Sequence, residues 1–160
     1  MSRLPSLGPR GEGWVALQGV LFVLIAAAAV SVPGDAGRWS GVLTVVGTGL
    51  VAAGATIALS AIVVLRSGRA LTAVPHPPAG ARLVTGGPYR WVRHPIYAGI
   101  VIGSFGAATF RASIPAFLAA VALLVFFDLK RRREEAWLRE RIDGYDAYAA
   151  RTRALLPGLY

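Results

Sequence analysis

Along this chain, long runs without a charged residue alternate with strongly basic stretches. Residues 14–32 carry no charge, and residues 41–65 repeat the pattern over a longer run. At 1.5 Å per residue the first run reaches roughly 28 Å as a helix, close to the thickness of bilayer hydrocarbon. Pro33, Gly34 and Asp35 make the turn between the two. Two shorter apolar runs follow, residues 96–110 and 114–129, joined by Arg111, Ala112 and Ser113. Each reaches roughly 22–24 Å, short for a free-standing span. The pair predicts a helical hairpin through a thinned or protein-lined region. A soluble core hairpin is the competing reading, and the two preceding spans and the tight connection argue against it. The expected fold is therefore all-α: a polytopic membrane helix bundle of about four spans in a single domain, 1–160. Two long spans precede the short hairpin, with a loop at 66–95 and a helical C-terminal tail at 130–160.

Charge sets the orientation. Of the 17 Lys and Arg residues, only Arg38 and Arg111 fall in the connections on one side. The rest flank the first run, fill the 66–95 loop or follow residue 129. Under the positive-inside bias, both termini and the loop are cytoplasmic, in a bacterial-type inner or plasma membrane. The two long polar segments thus share a side, and polar chemistry is expected there. The net charge of +9 lies at membrane boundaries, which favours anionic lipid headgroups as partners and not nucleic acid. Hydrophobic residues make up 55% and charged residues 16%, against about a quarter charged in a soluble domain. With no Cys, disulfides and thiolate metal sites are excluded, and no metal site is expected. No small-residue cleavage site followed by a polar mature domain succeeds the first run, so a secretory signal peptide is not expected.

One stretch carries candidate chemistry. Residues 86–99 read Gly-Gly-Pro-Tyr-Arg-Trp-Val-Arg-His-Pro-Ile-Tyr-Ala-Gly. Pro95 suits the first turn of the helix that follows, because its missing N–H costs nothing there. Arg90, Arg93 and the unpaired N–H groups of a helix start would favour an anion. Tyr89, Trp91 and Tyr97 offer faces for a flat ring or a cation. The plain alternative is an interfacial anchor, since Arg and aromatic residues gather at membrane boundaries.

The ordered string resembles the signature of the isoprenylcysteine carboxyl methyltransferase family and the related phospholipid methyltransferases. Gly-Pro-Tyr-Arg, Val-Arg-His-Pro and an apolar-Tyr-x-Gly step are intact over residues 87–99, after a similar lead-in at 80–85. The tail carries the matching Lys130, Glu134, Glu135 and Leu138, then Gly144, Tyr145 and Tyr148. It closes with Thr152, Arg153, Leu155, Leu156 and Pro157. The resemblance covers about residues 75–160. It departs at Ala154, where relatives often have Arg, and at Ile142, where an aromatic is usual.

The resemblance implies an S-adenosylmethionine-dependent methyltransferase acting on a lipophilic acceptor, either a prenylcysteine-like carboxylate or a phospholipid amine. It implies a cofactor site between the Arg-His-Pro segment and the tail, with Tyr89, Arg90, His94, Tyr97, Glu134 and Glu135 as contacts. Arg93, Glu135 and Arg153 are the implied catalytic residues, and Arg151 and Tyr148 the implied acceptor contacts. A carboxylate suits ribose hydroxyls or an ammonium group, and adenine suits an aromatic face or an apolar slot. Methyl transfer is an in-line displacement, so positioning and water exclusion carry most of the work. A carboxylate acceptor needs no base and asks for an Arg; an amine needs Glu134, Glu135 or His94 as a base. Glu134 and Glu135 also suit a solvated helix face paired with nearby arginines. Gly103 and Gly106 are read first as helix-packing residues. Two other functions fit in part: a membrane reductase using a reduced nicotinamide dinucleotide, which shares an Arg-His-Pro-x-Tyr segment, and a non-enzymatic membrane scaffold.

Overall fold

The computed structural model describes residues 4–31, 34, 37–68 and 82–156. Pro33, Asp35, the 69–81 part of the basic loop and Pro157 lie outside the described residues. The elements are α1 (Glu12–Ser31), α2 (Ser40–Ser67), α3 (Pro95–Phe110), α4 (Ile114–Arg141) and α5 (Tyr145–Arg151). Short 3-10 turns occupy Gly37–Trp39 and Gly87–Arg90. No strand occurs among the described residues, so the molecule is all-helical as expected. Among the described residues one stretch, Gly37–Ser67, is long and apolar enough to cross a membrane.

The apolar side chains of α2 mostly face outward. Val42, Val45, Val46, Val51, Leu59 and Val63 are exposed, while Gly47, Gly54 and Ala61 are buried. The buried positions recur every seven residues, one face of a helix. That face meets α3 backbone to backbone. A Cβ at Gly54 would lie 2.4 Å from the Gly99 carbonyl oxygen, and one at Gly47 would lie 2.7 Å from that of Gly106. The helices run antiparallel, and the small-residue seam lets them approach as closely as main chains allow. Gly106 is therefore a packing residue. Gly103 lends its backbone to the seam, but a Cβ there would meet open space.

The hairpin turns at Arg111–Ser113 as the pattern predicts. Ser113 caps α4 by accepting the Ala116 N–H, and Pro115 occupies the first turn. Gly34 of the α1–α2 connection donates its N–H to the Arg111 carbonyl at 3.0 Å. The two short connections thus sit side by side at one end.

The expected end of the fourth apolar segment at residue 129 is not a helix end. α4 continues unbroken to Arg141. Nothing between Asp128 and Arg141 breaks a helix, and ion pairs one turn apart reinforce it: Asp128–Arg132, Arg131–Glu135 and Glu135–Arg139. The helix stops only before Gly144, which takes a left-handed φ of 79°. An apolar half and a charged half therefore form one rigid rod. α1 lays Trp14, Leu21 and Ile25 against a core of Val101, Leu123, Phe126 and Phe127.

Candidate functional site

The motif before α3 is held by the tail. After the Gly87–Arg90 turn the chain pairs with residues 153–154 around a single parallel bridge between Val92 and Arg153. Arg93 N–H donates to the Arg153 carbonyl at 2.8 Å, His94 N–H to that of Ala154 at 3.0 Å, and Arg153 N–H to that of Trp91 at 3.0 Å. The buried Tyr148 hydroxyl donates to the Tyr89 carbonyl at 2.7 Å. The Arg93 guanidinium donates to the carbonyls of Ala149, at 3.0 Å, and Thr152. Segments some 60 positions apart in sequence are thereby fixed against each other.

Glu135 sits in the middle of this closure. Its Oε1 accepts from Arg93 Nε at 3.1 Å, lies 3.1 Å from His94 Nε2 and 3.6 Å from the Arg131 guanidinium. Its Oε2 accepts from Arg139 at 3.3 Å. The residue is 3% exposed. Burial alone would raise its pKa, but the hydrogen bonds and charges of His94 and Arg93 outweigh it and hold the carboxyl at about 2. Glu135 is thus an ionised, fully engaged hub.

Glu134 is placed differently. Its carboxylate accepts the Tyr97 hydroxyl at 2.8 Å and lies 3.8 Å from His94 Nδ1, yet its side chain keeps 21% exposure. His94, Tyr97 and Phe127 form a ladder of near-parallel rings, with centroids 5.4 and 4.5 Å apart. Of the two glutamates, Glu134 is the one open to a small molecule. The cluster offers such a molecule a carboxylate, a phenol and an aromatic face.

Five of the residues singled out from the sequence thus share one cluster: Arg93, His94, Tyr97, Glu134 and Glu135. Tyr89 is buried beside it, and burial, with the charge of Glu134, pushes its phenol upward. Burial likewise pushes the Tyr148 phenol up to about 12, and this residue ties the tail to the loop. Three arginines lie elsewhere. Arg90 is exposed and stacks 3.9 Å over the Trp91 ring. Arg151 is exposed and donates to the Ala147 carbonyl on its own helix. Arg153 joins through its backbone while its side chain is exposed. Ala154 is 5% exposed, in a slot where an Arg side chain has no room without rearrangement. The alternation of the extended tail puts Ala154 inward and Arg153 outward, so Arg153 does not stand in for an arginine at 154.

Further partners complete the cluster, and of these Gln18 was not singled out from the sequence. Arg131 and Arg139 flank Glu135 by one helical turn on either side, a spacing visible in the sequence. Lys130, 2% exposed, donates to Gln18 Oε1 on α1 at 2.6 Å and lies 5.3 Å over the Tyr97 ring. Gln18 carried a signal too: it is a lone amide on the α1 face that also bears Trp14, Leu21 and Ile25.

Beside the cluster runs an almost wholly apolar groove of about 440 Å³. Ala98, Val101 and Phe105 of α3, Leu124 and Val125 of α4, and Leu155 and Leu156 of the tail line it; Asp128 is its charged lining residue. Ala98 stands one helical turn beyond His94. Asp128 pairs with Arg131, which also reaches Glu135, so the groove and the polar cluster adjoin.

Residues 42–142 match the phospholipid methyltransferase family. The chain belongs to that family. The matched region includes nearly all of α2, the 86–99 motif, α3 and all of α4, and so contains the Arg93–Glu135 hub. A relative, the nickel-cobalt-cadmium resistance protein NccN of Alcaligenes xylosoxydans xylosoxydans, is 36% identical over 78 residues. That match covers 48% of this chain and 37% of the relative, so the chain spans well under half of NccN's length. That family is one of membrane-associated methyltransferases.

Proposed function

We propose that this protein is an integral membrane methyltransferase that uses S-adenosylmethionine to methylate a lipophilic acceptor at the cytoplasmic membrane face. The observation that carries this reading is the joining of an open carboxylate–phenol–aromatic cluster to an apolar groove. The first suits a polar, ring-bearing methyl donor, and the second suits the hydrocarbon part of an acceptor. When bound, the donor supplies a methyl group activated by a sulfonium.

Each residue then has a task. Glu134 and Tyr97 bind hydroxyl or ammonium groups, and the His94–Tyr97 ring ladder provides an apolar wall. Glu135, gripped by Arg93 and His94, positions the loop against the tail and does not touch the ligand. Tyr148 and the paired backbones of residues 91–94 and 153–154 close that side of the site and exclude water. The acceptor's reactive headgroup, an amine or a carboxylate, lies where the groove meets the cluster. Arg151 and Arg153, exposed as they are, engage lipid headgroups at the site's rim.

The outward-facing valines and leucines of α1, α2 and α4 support lipid as their solvent. We read four crossings with both termini cytoplasmic, the charged half of α4 rising out of the membrane. Labelled-methyl transfer from S-adenosylmethionine onto a lipid extract and a panel of prenylcysteine analogues, with product identification, tests the function. Transfer onto a lipophilic product is expected. Binding of a reduced nicotinamide dinucleotide without binding of S-adenosylmethionine would overturn it.

A further inference from the structure

Lys130 is buried among α1, α3 and α4, and the site described above gives it no task. The other buried cations of the cluster face carboxylates: Arg93 meets Glu135, and Arg131 meets Asp128 and Glu135. Lys130 instead donates to the neutral Gln18 amide. A buried ammonium whose nearest partner is neutral is expensive, and an anionic oxygen in its place relieves that cost. Burial pushes the Lys130 pKa down, with Glu134 pulling partly the other way.

Its position relative to Glu134 specifies the ligand. The two lie four residues apart on α4, so they project from one face of the helix. They flank a single ring: Lys130 lies over the Tyr97 face, and Glu134 accepts the Tyr97 hydroxyl. They do not ion-pair with each other among the described residues. A cation and an anion held one turn apart on a shared wall match an α-amino acid group, whose carboxylate and ammonium are adjacent.

We infer that Lys130 and Glu134 form a zwitterion clamp for the amino-acid end of the methyl donor, with Lys130 taking the carboxylate and Glu134 the ammonium. Gln18 is a placeholder only: its Oε1 occupies the position on Lys130 that the donor's carboxylate takes. This inference rests on the proposed use of S-adenosylmethionine and goes beyond it by assigning the ends of the donor.

The test is calorimetric titration of the purified protein in detergent with S-adenosylmethionine and with its decarboxylated analogue, which keeps the amine and lacks the carboxylate. A charge-assisted hydrogen bond corresponds to about 10- to 100-fold in affinity. The native protein should prefer S-adenosylmethionine by that factor. Lys130→Met should erase the preference by weakening S-adenosylmethionine alone, and binding of the decarboxylated analogue reports that the variant is folded. Gln18→Leu should keep the preference, because the placeholder is not the ligand's partner. The inference is overturned if Lys130→Met retains the preference or loses both ligands equally, or if Gln18→Leu behaves like Lys130→Met. Failure of the native protein to bind S-adenosylmethionine would instead sink the proposed function itself.

Discussion

Glu134 and Glu135 are adjacent and chemically identical, yet their replacement should have opposite signatures. Glu135→Ala removes a 3% exposed carboxylate and strands Arg93, which is 12% exposed, and His94, which is 5% exposed at its side chain. Breaking a buried pair from one side costs about 3–5 kcal/mol, because the remaining charge stays buried without compensation. Glu134→Ala loses one hydrogen bond, from the Tyr97 hydroxyl, on a side chain still partly in solvent. That costs about 0.5–1.5 kcal/mol. Denaturant titration of the helical signal in detergent should rank Glu135→Ala far below Glu134→Ala in stability. Donor binding should rank them the other way once each is measured under conditions where it is folded. A cycle with Arg93→Met should recover part of the Glu135→Ala loss, with a coupling of about 0.5–3 kcal/mol. Equal destabilisation by the two glutamate variants, or the absence of coupling to Arg93, would refute the division into hub and ligand contact.

Acid should act through the same hub. Burial opposes ionisation of Glu135, but His94 and Arg93 prevail and hold its carboxyl at about 2 against an ordinary 4.5. A folded value below the unfolded one means that the stabilisation is complete above about 4.5 and is lost as pH falls toward 2. Glu135→Gln should flatten the stability profile in that window. At the α2–α3 seam, Gly54→Val should cost about 1–3 kcal/mol by forcing backbones apart, whereas Gly49→Ala, with open space around it, should be neutral or stabilising. Tyr148→Phe leaves the Tyr89 carbonyl without its donor, at about 1–3 kcal/mol, and should speed amide hydrogen exchange at Arg93, His94 and Arg153. Reporter fusions should place the C-terminus in the cytoplasm; an external C-terminus would refute the orientation drawn from the basic residues.

The sequence by itself determined the helical class, the hairpin turn at 111–113 and the residues of the cluster. Charge-free runs are local, and a helix satisfies its own backbone, so length and composition suffice for those elements. The motif and the glutamate pair were legible because their order is rigid. Local spacing could not say which glutamate faces the ligand, since Glu135 pairs with arginines one turn away as a helix face does and with Arg93 and His94 at the same time. It could not show that α4 runs on to Arg141, because loss of hydrophobicity marks the end of an apolar segment and not the end of a helix. Only the tertiary structure decided that Arg90, Arg151 and Arg153 lie outside the cluster, that Ala154 fills a buried slot, and that Gln18 reaches Lys130 across 112 positions. Those facts depend on the direction in which each side chain leaves an extended or helical backbone, and on which helices the glycine seam and the apolar core bring together.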